Sequence, residues 1–315
     1  MLDVPELAAP HGARGAQRQG DHGLEDRGDG PRRLHAQRGL QDGSITYEFE
    51  TKTFNYDRGI KLLADVMDVE EAGVLDCFVA AGSELQRTQV APEADAFTFS
   101  EIAGHEGVTP AVEDFSDADA EDVLASLRAA TNEMDEAEVT TGSRILFITP
   151  TLKGVLDDFS LANPARSNRV LERFSRVVEV PQTRFFSAIA LNSGEGDQFG
   201  YSRAEGSYVK TTDGSVTPGK TYYTESGGVY SKVSSPQSDQ LTNYYELVGA
   251  GAPINYMVVE RSAVIKFDKH VASRVFSPDE LENLDSYMMK YRKYGIVELL
   301  DNKLDGVHVS CAPLA

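Results

Sequence analysis

The sequence predicts an α+β fold on three observations. Apolar and polar residues alternate strictly from Ile45 to Lys52, apolar residues recur at helical spacing at Val123, Leu127, Ala130 and Met134, and the two periods succeed one another in irregular order.

The alternation Ile45-Thr46-Tyr47-Glu48-Phe49-Glu50-Thr51-Lys52 is that of a strand with one dry face. Asn55-Tyr56-Asp57-Arg58-Gly59 supplies turn formers and Ile60 to Val66 a second run, so residues 44–66 are predicted to form an extended hairpin. Acidic residues at Asp68, Glu70 and Glu71 suit the positive end of a helix dipole. Val74, Leu75, Phe78, Val79, Gly82 and Leu85 come next at helical spacing, predicting a long helix that ends before Pro92. A two-stranded ribbon leaves one face wet and its edge N–H and C=O groups unpaired. Its missing cover is therefore expected on a neighbouring subunit.

Ser116-Asp117-Ala118-Asp119 reads as a capped helix start, leading into Val123, Leu127, Ala130, Met134 and Ala137. Arg144 to Ile148 is a short strand, and Thr149-Pro150 opens a helix through Phe159 with proline at its first position. Strands are read at Arg176 to Val180, Phe185 to Leu191, Ile254 to Val259, Ala263 to Phe267 and Gly306 to Val309. A helix is expected from Ser277-Pro278-Asp279-Glu280, which combines a serine cap, a first-position proline and a glutamate at the third.

Between Asn192 and Gly251 the texture changes, with seven of the thirteen tyrosines and ten glycines. Thr221-Tyr222-Tyr223-Thr224 is echoed by Thr242-Asn243-Tyr244-Tyr245, each after a proline, Pro218 and Pro236. This is read as a small β-rich insert of hairpins at an exposed loop tip. Its tyrosines either pack the insert's own core or form an adhesive surface.

At 315 residues and 41% hydrophobic content the chain can hold about two domains with a buried core. Thirty basic against fifty acidic residues give a net charge of -20, which lacks the electrostatic footprint for gripping a phosphate backbone. Cys77 and Cys311 are too few for a disulfide framework and lack metal-ligand spacing. The sequence has no apolar run near the roughly 20 residues that span a bilayer and no signal-peptide pattern, so residence in a cytoplasm is expected and no membrane partner.

Residues 1–43 contain no Ile, Phe, Tyr, Lys, Ser, Thr, Asn or Cys, yet carry eight Gly, six Arg and three of the six His. Two readings stay open. The segment is a disordered tail whose low hydrophobicity cannot offset ordering entropy, or it is an out-of-frame stretch, since its residues are those of GC-rich codons.

Candidates for chemistry are weak. Asp114, Asp117, Asp119, Glu121 and Asp122 lack the glycine and terminal glutamate of a calcium loop. Gly194 to Gly200 has the wrong spacing for a dinucleotide loop, His105, His270 and His308 are scattered, and there is no Gly-x-Ser-x-Gly elbow. No catalytic residue, cofactor or metal is expected.

The string Thr51 to Val66 with Asp65-Val66-Met67-Asp68-Val69-Glu70-Glu71, the run Glu84 to Phe97, and downstream Ile254 to Lys269 and Arg274-Val275-Phe276-Ser277-Pro278 through Val309 resemble tailed-phage major capsid proteins of the Hong Kong 97 type. The resemblance covers most of Ser44 to Val309 apart from one insertion. It implies an extended hairpin loop at 44–66, a body with a long spine helix and α+β core at 67–193, the β-rich insert at 194–252, and the C-terminal part of the body at 253–315. It further implies self-assembly into hexamers and pentamers of an icosahedral shell around DNA, with scaffolding and portal proteins as candidate partners. The chain would then be made in a bacterial cytoplasm and reside in the virion capsid, without enzymatic activity. Tyr47, Phe49, Tyr56 and Ile60 are the expected apolar contacts to a neighbouring subunit, and Arg58, Lys61 and Arg87 the basic ones. The Lys-Asn crosslink of some such proteins is not carried over to Lys52 or Lys61. Two alternatives stay open, an encapsulin-like nanocompartment shell and a soluble α+β enzyme with a dispersed site.

Overall fold

The computed structural model describes residues 21–28, 45–66, 82–163, 169–195, 198–212, 215–216, 221–281 and 286–314. These fall into two compact units, one of residues 82–264 and 303–314, the other of 21–66 and 265–302.

The smaller unit begins with β1 (Asp21–Gly28), β2 (Ile45–Lys52) and β3 (Tyr56–Asp65). The two strands read at 45–66 exist, but they do not pair with each other as a hairpin. β2 pairs antiparallel with β1, from Ile45 opposite Gly28 to Lys52 opposite Asp21. Residues 21–28 are thus a strand inside the stretch read as either a disordered tail or an out-of-frame segment, since a backbone ladder does not require apolar side chains. β3 pairs antiparallel with β15 (Ser286–Leu299), which is flanked on its other side by β14 (Val264–Phe276). The reason lies at Asn55. Its side chain donates to the Val297 carbonyl at 2.7 Å and accepts from the Val297 N–H at 3.0 Å, standing in for one more residue of the ladder. The turn formers therefore dock onto a distant strand instead of reversing the chain onto β2.

The helix expected at Ser277 is also corrected. The capping box forms, with Glu280 accepting from the Ser277 N–H at 2.9 Å, yet only the 3-10 turn Pro278–Glu280 results. Beyond that turn lies β15, where Tyr287, Tyr291, Tyr294, Ile296 and Val297 favour a strand and its ten-pair ladder with β3 outweighs the local cap.

In the larger unit, the helix read from Asp68 lies outside the described residues up to residue 81. From there it does not stop before Pro92. Helical residues 82–85 lead through a π turn, Gln86–Val90, into α1 (Ala91–Ala103). Proline has no N–H, and its ring crowds the carbonyl four residues back. The wider turn, in which the Ala91 N–H reaches the Gln86 carbonyl, accommodates both.

The core is a five-stranded sheet in the order β4 (Ala111–Val112), β16 (Val307–Cys311), β13 (Ile254–Glu260), β5 (Arg144–Ile148), β6 (Arg176–Glu179). The outer pairings are parallel and the inner ones antiparallel. Both faces are covered, so every residue of β5 and β13 is buried. On one face α2 (Ala120–Glu136) and α3 (Pro150–Ala162) bring Val123, Leu127, Met134, Leu152 and Leu156 against Leu146, Ile148, Tyr256 and Val258. On the other, Phe99 of α1 meets Phe147 and Phe185 edge-on, with ring centroids 5.1 and 4.9 Å away. α2 opens on Asp119, whose carboxylate accepts from the Glu121 and Asp122 N–H groups at 2.8 and 3.1 Å. The cap sits three residues beyond Ser116, within the predicted start.

Strand character at Phe185 to Leu191 narrows to β7 (Ile189–Leu191), paired with β8 (Tyr201–Arg203). Beyond it stand β9 (Ser207–Lys210), β10 (Tyr223–Ser226), β11 (Val229–Lys232) and β12 (Tyr244–Val248), an antiparallel sheet in the order β11-β10-β12-β9. Tyr222, Leu241 and Tyr244 are its buried core. Tyr208 and Tyr230 stack at 3.9 Å on the sheet, so tyrosines both fill the core and line a surface. The ends of the insert meet where Ser187 N–H donates to the Ala252 carbonyl at 2.9 Å. Gly206 makes the return possible. Its φ is +74°, and a Cβ there would lie 2.6 Å from the Ala250 nitrogen.

Candidate subunit-contact surface

The three-stranded sheet of the smaller unit gathers basic side chains from distant segments. Its strands carry Arg58, Lys61, Lys266, Lys269, Arg274, Lys290, Arg292 and Lys293 against Asp57, Asp65, Asp268 and Glu298, in a chain whose net charge is -20. The β3/β15 register sets Lys61 directly opposite Lys290 and Arg58 opposite Lys293. Like charges directly across a ladder repel.

The two pairs resolve this differently. Lys293 is buried, with its ammonium 2.9 Å from Asp268 and 5.9 Å from the centre of the Tyr56 ring. Lys61 and Lys290 are exposed, and Lys290 lies over the Phe276 ring at 5.0 Å. Beside them Arg292 grips Asp57 through two bonds, Nε to Oδ1 at 2.9 Å and Nη2 to Oδ2 at 2.6 Å. The guanidinium holds the Asp57 carboxyl below the ordinary range, and the carboxylate raises Arg292 in turn. The exposed face is thus a basic strip of Lys61, Lys290 and the capped Arg292.

Of the residues expected to meet a neighbour, Lys61 lies on that strip and Arg58 and Ile60 are half-buried on the opposite face of β3. Tyr56 is corrected: it is 3% exposed, beneath Lys293, because it starts a strand that is covered from within the unit. Arg87 stands apart on the helix before α1, where it forms a bidentate pair with Glu84 at 2.7 and 3.1 Å. Tyr47 and Phe49 lie on β2, opposite Asp26 and Leu24, and their side chains are outside the described residues. Lys290 and Arg292 escaped the sequence reading, since no local signal ties them to residues more than two hundred positions earlier.

A second polar cluster lies within the larger unit. Glu113 accepts from Ser126 at 2.7 and 2.9 Å and from Ser310 at 2.5 Å, and Ser126 also meets the Tyr256 hydroxyl at 2.6 Å. His308 stacks on Tyr256 and points Nδ1 at Glu133, 3.3 Å away. The two serine hydroxyls of this cluster bond to Glu113 and Tyr256, and the imidazole pairs with Glu133. Burial raises the Tyr256 hydroxyl and pushes the Cys311 thiol up to about 12, so neither ionises near neutrality. Among the described residues no group of three or more His, Cys, Asp or Glu is placed to hold a metal ion, and no helix is long and apolar enough to cross a membrane.

Burial also pushes His308 below its ordinary value, against the pull of Glu133 and Glu113. A histidine whose folded value is depressed adds stability above the unfolded value of 6.5 and loses it as pH falls, because the unfolded chain then binds the extra proton. Stability is accordingly expected to fall from about pH 6.5 downward, and His308→Asn to flatten that part of the profile. Denaturation midpoints of both proteins between pH 8 and pH 5 check this; parallel profiles would refute it.

No protein-family model matches the chain and no curated protein matches it in sequence. Solved structures do match its fold. A capsid structure of the cyanophage P-SCSP1u is 11% identical with a TM-score of 0.54, covering 99% of this chain and 94% of that one. The mature capsid of bacteriophage PhiM1 is 13% identical with a TM-score of 0.54, covering 100% and 93%. A virus-like particle from Pyrococcus furiosus is 10% identical with a TM-score of 0.52, covering 98% and 92%. The chain has the Hong Kong 97-type capsid fold.

Proposed function

We propose that the chain is a major capsid protein, a structural and non-enzymatic subunit that self-associates into hexamers and pentamers of an icosahedral shell around phage DNA. The observation that carries this reading is the match of the whole chain to phage capsid subunits over more than nine-tenths of both partners. Scaffolding and portal proteins are the further partners it implies, with assembly in a bacterial cytoplasm and residence in the virion.

In this reading β2 and β3 reach a neighbouring copy. Tyr47, Phe49 and Ile60 supply apolar contact, and Arg58, Lys61 and Arg87 face acidic surface. The Lys61/Lys290 opposition supports it: neither ammonium has a carboxylate partner among the described residues, and an acidic neighbour would relieve the repulsion. Exposed charge pairs contribute under about 1 kcal/mol each, so misplaced subunits can still exchange. The bulk of the adhesion then comes from buried apolar area, upward of about 2,000 Å² in obligate contacts.

Negative-stain electron microscopy of the full chain and of residues 44–315, after gel filtration, tests the reading. Shells or ring-shaped capsomers are expected; small uniform particles from both would overturn it. Tyr47→Asp with Phe49→Asp is expected to leave a folded chain that forms no shells, and normal shells from the double variant would remove β2 from the interface. The archaeal virus-like particle keeps a nanocompartment shell as the second reading. Nuclease-protected DNA inside the particles favours the phage capsid, and an enclosed protein cargo the nanocompartment.

A further inference from the structure

A cleft of about 780 Å³ opens beside α2, lined among the described residues by Glu121, Leu124, Ala125 and Arg128 of the helix and by Arg169, Val170 and Arg173. Three guanidiniums and one carboxylate around an apolar floor are the reverse of a chain with net charge -20. Arg173 is fixed in place, with Nη1 3.1 Å from Thr131 Oγ1, 3.1 Å from Asn132 Oδ1 and 3.3 Å from Asp135. Arg128 and Arg169 are exposed and form no ion pair among the described residues.

The same helix carries the complement. Glu133, Asp135, Glu136 and Glu138 crowd its C-terminal end, where the dipole disfavours negative charge and α2 has no basic residue in its own last turn. Asp135 is satisfied by Arg144 and Arg173, and Glu133 faces His308. Glu136 and Glu138 are exposed without such a partner among the described residues.

We infer that the arginine cleft of one copy receives the acidic end of α2 from a second copy, Arg128 and Arg169 meeting Glu136 and Glu138. Guanidinium forks pair carboxylates bidentately, which gives register as well as attraction. Arg128 and Glu136 are about 12 Å apart along the helix axis at 1.5 Å per residue, so two helices approaching antiparallel satisfy both patches in one interface. This deepens the shell reading and rests on it, naming one surface by which copies recognise each other.

Two charge-reversed double variants, R128E/R169E and E136R/E138R, test it in the full chain, with circular dichroism confirming that each is folded. Each alone is expected to weaken self-association at least tenfold in sedimentation and to abolish particles under the microscope. Mixing the two restores association to within about threefold of the unmodified chain, because each then meets its complement. Unimpaired particles from either variant, or a mixture that stays dissociated, would overturn the inference while leaving the shell reading intact. Loss of duplex-DNA binding by R128E/R169E with assembly unchanged would assign the cleft to phosphate and also overturn it. An unmodified chain that never associates would overturn both readings.

Discussion

Replacing Phe99 with alanine is expected to destabilise the larger unit by about 3–5 kcal/mol. Phe99 is 1% exposed and joins α1 to the sheet through edge-to-face contacts with Phe147 and Phe185, themselves 1% and 0% exposed. Truncation removes both contacts and opens a void between α1 and the close-packed sheet. Leucine at the same position keeps much of the volume without the aromatic edges, so its cost should fall between the two. The chain has no tryptophan, so urea denaturation monitored by far-ultraviolet circular dichroism is the suitable measurement. A loss below about 1 kcal/mol for Phe99→Ala would show that α1 closes the gap and is not fixed by this residue.

The second large effect is expected at Arg144. Its side chain is fully buried, 2.7 Å from Asp135, and donates to the Thr131 carbonyl at 3.3 Å and the Val139 carbonyl at 2.6 Å. All three partners belong to the end of α2 or the residues just after it. A cation delivered there from β5 supplies what α2 lacks in its own last turn, namely a positive group for the unpaired carbonyls and the negative end of the dipole. Arg144→Ala removes the charge, two carbonyl bonds and the packed volume together. Because Asp135 is 40% exposed and keeps Arg173, the expected loss is about 2–4 kcal/mol and not the full cost of a stranded buried charge. Arg144→Lys keeps the charge but not the fork, and should recover only part of it. Equal stability of Lys and Arg at this position would show that charge alone matters.

Periodicity served well in the larger unit, as β5, α2, α3 and β13 show. Each buries one or both faces against its sequence neighbours or a central sheet, and such burial imprints the period directly on the residues. The contact surface was less legible. Lys61 could be singled out as a basic residue, but its opposition to Lys290 depends on a register between strands that lie far apart in the chain. Tyr56 was expected to contact a neighbouring subunit and is core, because Asn55 docks the turn onto Val297. At Ser277 the local signal was correct as chemistry, since the capping box forms, yet the fourteen residues of β15 gain more from the ladder than a helix would from its cap.

Local pattern alone was enough for the α+β class, the positions of the central strands and helices and the β-rich character of the tyrosine-rich stretch. Three-dimensional contact was needed to see that β2 and β3 take separate partners, that Arg144 caps a helix from a neighbouring strand, and that an arginine cleft and an acidic end share α2. The difference is one of range. Burial of one face is written in residues three, four or two apart, whereas strand pairing and charge opposition act between residues whose separation along the chain leaves no local mark.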